Sequence, residues 1–389
     1  MSGFCAGNRI ELLRTGTEFF PALEAAIDGA RLQIHLETYI FENDDTGRRI
    51  AEALARAAGR GVATHLLIDG FGSKDLGLEF IEGMRASGVQ ILTYRPEISP
   101  WTFKRRRLRR MHRKIAVIDA AVAFVGGINV IDDMHTPGQI PPRFDYAVRV
   151  EGPLLSDIHH AAIWLWKMVN WIQLRKRSEP HQRLEARGEP CGSQRAAFVI
   201  RDNLRHRNDI EEAYLDAIAG ARGEIVIACA YFFPGHTFRR ALIDAAARGV
   251  KVVLLLQGRV EYLLLHYASR ALYRYFLDAG VEIFEYHRSF LHAKVAVIDQ
   301  RWSTVGSSNI DPMSLLLARE ANVLIDDADF AAQLRSSLNA AIDTGAQQVQ
   351  RAQWEKLSNS LSMRLMTWTC YQLVRFLSGW SSYGRAREF

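Results

Sequence analysis

His112-Arg-Lys114-Ile-Ala-Val-Ile-Asp119, followed by Gly126-Gly127-Ile-Asn129, has a counterpart in the second half of the chain. There His292-Ala-Lys294-Val-Ala-Val-Ile-Asp299 is followed by Gly306-Ser-Ser-Asn309. Both copies run His, any residue, Lys, four residues, Asp, then a glycine-led turn into Asn. Side chains two apart in a strand share a face, so His112 and Lys114 project together, as do His292 and Lys294. Asp119 and Asp299 fall at odd offsets, so they point away or sit at the strand end and read as structural partners. The turn brings Asn129 and Asn309 back to the same cluster. Two copies meeting across a pseudo-twofold axis would gather two imidazoles, two ammonium groups and two carboxamides around one point. An ordinary strand with an exposed basic face could account for one copy, but not for two with matching tails.

The repeat extends outward from these motifs. Leu32 to Phe41 reads as a buried strand, Arg48 to Ala58 as a helix, then Arg60-Gly61-Val62 and a strand from Thr64 to Asp69. The second half repeats this with a strand from Glu224 to Phe233, a helix from Phe238 to Ala247, Arg248-Gly249-Val250, and a strand from Val252 to Gln257. Each half then carries another helix ending in Gly-Val (Gly88-Val89, Gly280-Val281) and a further strand before its motif. Strands alternating with helices predict an α/β sheet with parallel pairings and helices on its faces. The expected organisation is a first half over 8–160 with its motif at about 106–133, and a helix and linker over 161–195. A second half follows over 196–345 with its motif at about 286–313, then an amphipathic tail over 346–389. The polar segment Glu179 to Ser193, with Pro180, Gly188, Pro190 and Gly192, supplies the linker.

Composition narrows the partners. The chain has 389 residues, and Lys plus Arg (49) exceed Asp plus Glu (43) by 49 − 43 = 6. This mild excess favours an anionic partner without choosing between nucleic acid and membrane. Cys5, Cys191, Cys229 and Cys370 are far apart and form no Cys-x-x-Cys pair, which argues against a metal knuckle and for a reducing cytoplasm. No signal peptide and no uninterrupted bilayer-spanning apolar run is read, so the expectation is a soluble or membrane-surface protein.

The doubled inventory suits a phosphodiester. Lys and Asn offer charge and donors to the non-bridging oxygens, whose charge grows in the transition state. One neutral histidine can attack phosphorus to give a phosphohistidine. The other, protonated, can donate to the leaving oxygen and later deprotonate the acceptor. Imidazole holds either state near pH 7 without large tuning. Each needs a partner on its other nitrogen, and Asp145 and Glu320, downstream of the motifs, are the carboxylates assigned to orient them. No carboxylate cluster marks a metal site and no cofactor is expected.

These residues resemble the phospholipase D superfamily, whose signature is the double His-x-Lys-x4-Asp, over roughly residues 8 to 345. Within it the chain is most similar to the bacterial cardiolipin synthases, in particular the type lacking N-terminal transmembrane helices (type B). The narrower likeness rests on Leu36-Glu-Thr-Tyr-Ile-Phe41, Arg110-Met-His-Arg-Lys-Ile115, Asp145-Tyr-Ala-Val-Arg-Val-Glu-Gly-Pro153, Ala230-Tyr-Phe-Phe-Pro-Gly235 and Thr304-Val-Gly-Ser-Ser-Asn-Ile-Asp-Pro312. The resemblance implies two α/β/α halves sharing one active site at their interface. It implies phosphatidyl transfer between two phosphatidylglycerols to give cardiolipin and glycerol, by a ping-pong route. It counts His112, Lys114, Asp119, His292, Lys294 and Asp299 as the catalytic set, with Asn129 and Asn309 binding substrate. His112 is then the nucleophile and His292 the acid/base; the residues alone are symmetric and do not choose. Ala318 departs from the Asn expected at that position.

Departures from the repeat point to a lipid surface. From Gly61 to His112 the separation is 112 − 61 = 51, against 292 − 249 = 43 for Gly249 to His292. The extra length holds Lys104 to Arg110, six basic residues in seven, beside Pro100, Trp101 and Phe103. This reads as a cationic rim for anionic headgroups, with a solvated loop and a nucleic-acid track as rivals. In the tail, Trp354, Leu357, Leu361, Leu365 and Trp368 recur at helical spacing, continued by Phe376, Leu377 and Trp380 among Lys356, Arg364 and Arg375. That fits an interfacial helix on the cell inner membrane, peripheral on its cytoplasmic face; the alternative is packing on the protein's own core. Trp164 to Ile172 is read as core packing or a substrate-channel wall. The partner expected is an anionic phospholipid membrane of phosphatidylglycerol and cardiolipin. A phospholipid hydrolase, a nuclease and a catalytically silent binding protein are the alternatives; the intact His/Lys pairs count against the last.

Overall fold

The computed structural model describes residues 3–96, 109–136, 138–173, 184–186, 188–202, 205–260, 262–312, 314, 317–358 and 361–382. The first half runs β1 (Cys5–Arg14), α1 (Thr15–Asp28), β2 (Gln33–Thr38), α2 (Asp45–Gly59), β3 (Ala63–Asp69), α3 (Leu78–Ala86), β4 (Gln90–Tyr94), β5 (Lys114–Ile118), β6 (Val122–Gly126), β7 (Tyr146–Glu151) and α4 (Leu155–Ile172). The second runs β8 (Gln194–Arg201), α5 (Asp209–Gly220), β9 (Glu224–Cys229), α6 (His236–Ala247), β10 (Lys251–Gln257), α7 (Leu263–Arg270), α8 (Tyr273–Asp278), β11 (Glu282–Tyr286), β12 (Lys294–Ile298), β13 (Trp302–Gly306), β14 (Glu320–Asp326) and α9 (Ala328–Gly345). After these come β15 (Ala346–Gln348), α10 (Arg351–Ser358) and α11 (Leu361–Ser382).

The strands form one sheet in the order β15-β11-β10-β9-β12-β13-β14-β8-β1-β7-β6-β5-β2-β3-β4. Read outward from the central β8–β1 seam, the two sides match strand for strand, and only β15 is extra. The parallel pairings expected from strand–helix alternation are confined to β2–β3–β4 and β9–β10–β11; the other pairings are antiparallel. The reason is local. After the first four strands of each half, the chain returns through the tight β5–β6 and β12–β13 hairpins, which require antiparallel neighbours.

Local chemistry explains the repeat's punctuation. Gly61, Gly88, Gly249 and Gly280 all have φ between +81° and +93°. Each follows a helix, and the next residue, a valine, donates its N–H back into the last turn at 3.1–3.2 Å. This glycine-then-apolar ending satisfies orphan carbonyls and buries the valine, so Gly-Val ends a helix and starts a strand. The motif strands read as continuous apolar runs because they are buried on both faces. Ile115 and Val117 join a core with β12 and α9, whereas Ala116 and Ile118 join the core under α1 and α2.

Two tail and helix expectations need correction. The tail is two helices, and Trp354 is buried against Tyr273, with ring centroids 5.0 Å apart, rather than sharing an exposed face with Trp368. On α11, Val374 is buried while Leu365, Trp368 and Phe376 are 62%, 59% and 68% exposed, so one face packs on the protein and the other is open. The run on α4 splits similarly: Leu165, Trp166 and Val169 are buried, but Trp171 and Ile172 are exposed. Among the described residues no helix is long and apolar enough to cross a membrane. Residues 97–108, holding Pro100, Trp101, Phe103 and most of the basic run, lie outside the described residues.

The signature aspartates are fold clamps rather than catalysts. Asp119 sits at the far end of β5 from Lys114, about 16 Å along the strand at ~3.3 Å per residue. It accepts the backbone N–H groups of Arg31, Leu32 and Gln33, each at 2.8 Å. Asp299 takes those of Arg222, Gly223 and Glu224 at 2.8, 2.8 and 3.0 Å. Each thereby ties its hairpin turn to the start of the neighbouring strand. Asp119→Ala is expected to lower unfolding stability by about 1–3 kcal/mol and to leave the rate per folded molecule unchanged. Denaturant unfolding alongside an activity titration checks both.

Candidate active site

The two motif strands end at a chamber of about 240 Å³ whose lining includes His112, Asn129, Asp145, His292 and Asn309. The decisive feature is a crossing that the sequence reading did not contain. His112 Nδ1 lies 3.0 and 3.1 Å from the two oxygens of Glu320, in the other half. His292 Nδ1 lies 2.6 Å from Oδ2 of Asp145, again in the other half. The backbone crosses in the same way. His112 N–H donates to the Arg319 carbonyl at 2.9 Å, and Arg319 N–H to that of Arg110 at 2.7 Å. In the related copy, His292 N–H donates to Phe144 and Phe144 N–H to Phe290, both at 2.8 Å. Neither half therefore holds a complete histidine–carboxylate pair of its own.

An ionised carboxylate only accepts, so each Nδ1 carries the hydrogen and each Nε2 is left for chemistry. Glu320 is fully buried and also accepts from the Ser307 hydroxyl at 2.5 Å. At the equivalent position in the first half stands Gly127, where an added Cβ would come within 2.4 Å of Asp145 Oδ1. That close approach explains why one tail reads Gly-Gly and the other Gly-Ser.

Lys114 and Lys294 are buried, and each Nζ donates to the carbonyl of the histidine two residues before it, Lys114 at 2.5 Å. Lys114 also lies 5.3 Å over the Tyr39 ring, which packs edge-on to His112. Asn129 Oδ1 accepts Ile40 N–H at 3.1 Å and Asn309 Oδ1 accepts Tyr231 N–H at 3.4 Å. With each carbonyl oxygen engaged, what the two amides can offer a ligand is their NH2 groups.

Burial dominates the electrostatics. It lowers His112 below its ordinary value against the opposing pull of Glu320, and it lowers His292 further, with Lys294, Lys114, His112 and Arg143 adding. Both imidazoles therefore favour the neutral form at pH 7. Lys114 is pushed down to about 7, by burial first and with Lys294 adding, while Asp145 is pushed up to about 6 by burial. A bound anion would favour the charged form of His112, His292 and Lys114. Among the described residues no cluster of His, Cys, Asp or Glu has the arrangement of a metal site.

Sequence reasoning missed other lining residues: Arg110, Asp133, Arg143, Tyr231, Tyr262 and Asp311. Asp133, whose Oδ2 accepts the Gly16 N–H at the start of α1, is pushed up to about 7 by burial. These residues come from loops at the strand ends and follow no periodic pattern.

Comparison with known proteins fits this geometry. A family model described as "Cardiolipin synthase, PLD-like domain" matches residues 23–136 and 214–342, one segment in each half. Cardiolipin synthase B of Escherichia coli K12 is 43% identical over 350 residues, covering 90% of this chain and 84% of that one. Cardiolipin synthase 1 of Staphylococcus epidermidis is 30% identical over 341 residues, covering 86% and 68%. Among solved structures, phosphatidylserine synthase of Haemophilus influenzae has the same fold, with a TM-score of 0.68 over 98% of this chain and 95% of that one at 14% identity. The chain belongs to the phospholipase D-like cardiolipin synthase family, in the type represented by cardiolipin synthase B.

Proposed function

We propose that this protein is a phosphatidyltransferase that joins two phosphatidylglycerols into cardiolipin and releases glycerol. The observation that carries the chemistry is the crossed pair of histidine–carboxylate contacts over two buried lysines. His112 Nε2 attacks the donor's phosphorus, and the bond from phosphorus to the glycerol oxygen breaks. His292 gives that oxygen its proton, and the bound anion is what lets His292 carry one. A hydroxyl of the second phosphatidylglycerol then loses its proton to His292 and attacks the phosphohistidine, and the P–N electron pair returns to His112. Lys114, Lys294, Asn129 and Asn309 face the charge that grows on the non-bridging oxygens. The two sides of the chamber are so alike that naming His112 as nucleophile rests on the family resemblance.

The lipid as partner is supported by the relatives' names and by the open face of α11. Leu365, Trp368 and Phe376 lie exposed there beside exposed Arg364 and Arg375, the side-chain mixture of an interfacial helix. We place this face on an anionic bilayer, peripherally at the cytoplasmic side of the inner membrane, with residues 346–389 as the docking tail. Hydrolysis to phosphatidic acid is the second reading, since the same residues would pass the phosphatidyl group to water.

Purified protein is expected to sediment with phosphatidylglycerol liposomes and convert them to cardiolipin and glycerol. Phosphatidic acid as the main product would mean a hydrolase, and nicked DNA without lipid turnover a nuclease. His112→Ala should lower turnover at least about 100-fold and abolish covalent phosphatidyl labelling. Label that persists there and vanishes in His292→Ala would reverse the two roles.

The electrostatics predict a pH profile. The nucleophile must be neutral, so kcat/KM for phosphatidylglycerol should fall only as pH drops below the ordinary histidine value of 6.5. Lys114 and the acid His292 must be charged, so the alkaline limb should begin no higher than about pH 7, where the Lys114 ammonium is lost. Glu320 raises both groups, so Glu320→Gln should move both limbs to lower pH. A shift to higher pH would contradict the charge arrangement.

A further inference from the structure

The chamber departs from its own twofold symmetry at several charged positions, Arg110, Asp133, Asp311 and Arg143, and Arg143 is the one that stands beside an orienting carboxylate on the His292 side. Counting back two residues from each orienting carboxylate gives Arg143 before Asp145 and Ala318 before Glu320, and both line the cavity. The backbone bonds from Phe144 to Phe290 and His292 set Arg143 on the His292 side. Its N–H donates to the Asp133 carbonyl at 3.0 Å, and its guanidinium lies 5.0 Å over the Phe290 ring. Among the described residues no carboxylate lies within ion-pair distance of Arg143, although its charge acts at longer range on Asp133, Asp145 and Glu42, and its buried Nε has no hydrogen-bond partner. Arg110, the other lining arginine, is placed differently: it sits 3.6 Å from the fully buried Asp69 and stacks on Phe71.

If the reacting phosphate is met by the two lysines and two amides, Arg143 is a cation in the same chamber with another anion to receive. The proposed reaction supplies one. The acceptor carries its own phosphodiester, three carbons from the hydroxyl that attacks, and that hydroxyl must reach His292. We propose that Arg143 binds the phosphodiester of the acceptor lipid and so selects a phospholipid alcohol over a small alcohol or water. A planar guanidinium pairs with two phosphate oxygens at once, and its stacking on Phe290 fixes its orientation before the acceptor arrives. The transfer step is unchanged: the acceptor oxygen bonds to phosphorus, its proton passes to His292, and the P–N bond to His112 breaks. Arg143 is thus a specificity residue for the acceptor, and the inference rests on the phosphatidyl-transfer reading.

The test is a competition between acceptors. Full-length protein is given phosphatidylglycerol vesicles with ethanol in the buffer, and cardiolipin and phosphatidylethanol are measured from the same donor. Both products need His112 and His292, so their ratio cancels any effect of a substitution on the imidazoles. Arg143→Gln is expected to lower the ratio of cardiolipin to phosphatidylethanol at least 10-fold, and Arg143→Lys, which keeps the charge, to restore most of it. An unchanged ratio in Arg143→Gln overturns the proposal, as does a parallel loss of both products in both variants. Wild-type protein that makes phosphatidylethanol or phosphatidic acid but no cardiolipin would overturn the cardiolipin-forming reading itself, a separable result.

Discussion

Each motif imidazole is held by a carboxylate that belongs to the opposite half of the chain, and the rest of the structure serves that exchange. A half alone would leave His112 or His292 without its acceptor, and Glu320 or Asp145 buried without its donor, a state that costs several kcal/mol per buried charge. The continuous sheet through the β1–β8 seam and the reciprocal backbone bonds at Met111–Arg319 and Phe144–Leu291 hold the two halves in one register. With that register fixed, His112 and His292 reach one chamber with Lys114 and Lys294 buried behind them, and burial makes His112, His292 and Lys114 poor cations. Binding and activation of a phosphodiester thus follow from one arrangement.

The repeat, the parallel trios, the helix endings and the convergence of His and Lys were legible because each follows a short-range rule. Period-two spacing sets the face of His112 and Lys114, and Gly61-Val62 ends a helix by backbone geometry alone. The exchange of carboxylates was not legible. Asp145 and Glu320 could be named from their place after each motif, but spacing along the chain does not tell which histidine a side chain meets across an interface. The tail misled for a related reason. Trp354 and Trp368 share a helical period, yet Trp354 is buried against Tyr273 while Trp368 is exposed. The grouping of Asp119 and Asp299 with the catalytic residues fails because a signature also records the residues that hold the turn. The odd offset of these aspartates pointed away from catalysis, and their three backbone bonds show what they do.

Symmetry and its departures divide the work of the site. The paired histidines, lysines and asparagines build a clamp that is indifferent to what the phosphodiester carries. The differences include Gly127 against Ser307 under the carboxylates, Tyr39 against Ala230 at the first histidine, Arg110 against Phe290, Ile131 against Asp311, and Arg143 against Ala318 at the rim. A duplicated half supplies matched chemistry, but two lipids that arrive in order and play different parts need unmatched surroundings. Ala318, where the resemblance leads one to expect Asn, belongs among those differences.

The exchange of carboxylates is tested most directly by histidine-selective nitrogen–proton NMR of the Asp145→Asn protein, with the two Nδ1–H signals assigned from single His→Gln variants. Asp145 lies in the first half with His112, so a self-contained half and an exchanged pair predict opposite results. The exchanged pair requires the strongly deshielded Nδ1–H signal of His292 to move upfield while that of His112 stays in place. Movement of the His112 signal with His292 unperturbed would contradict the account.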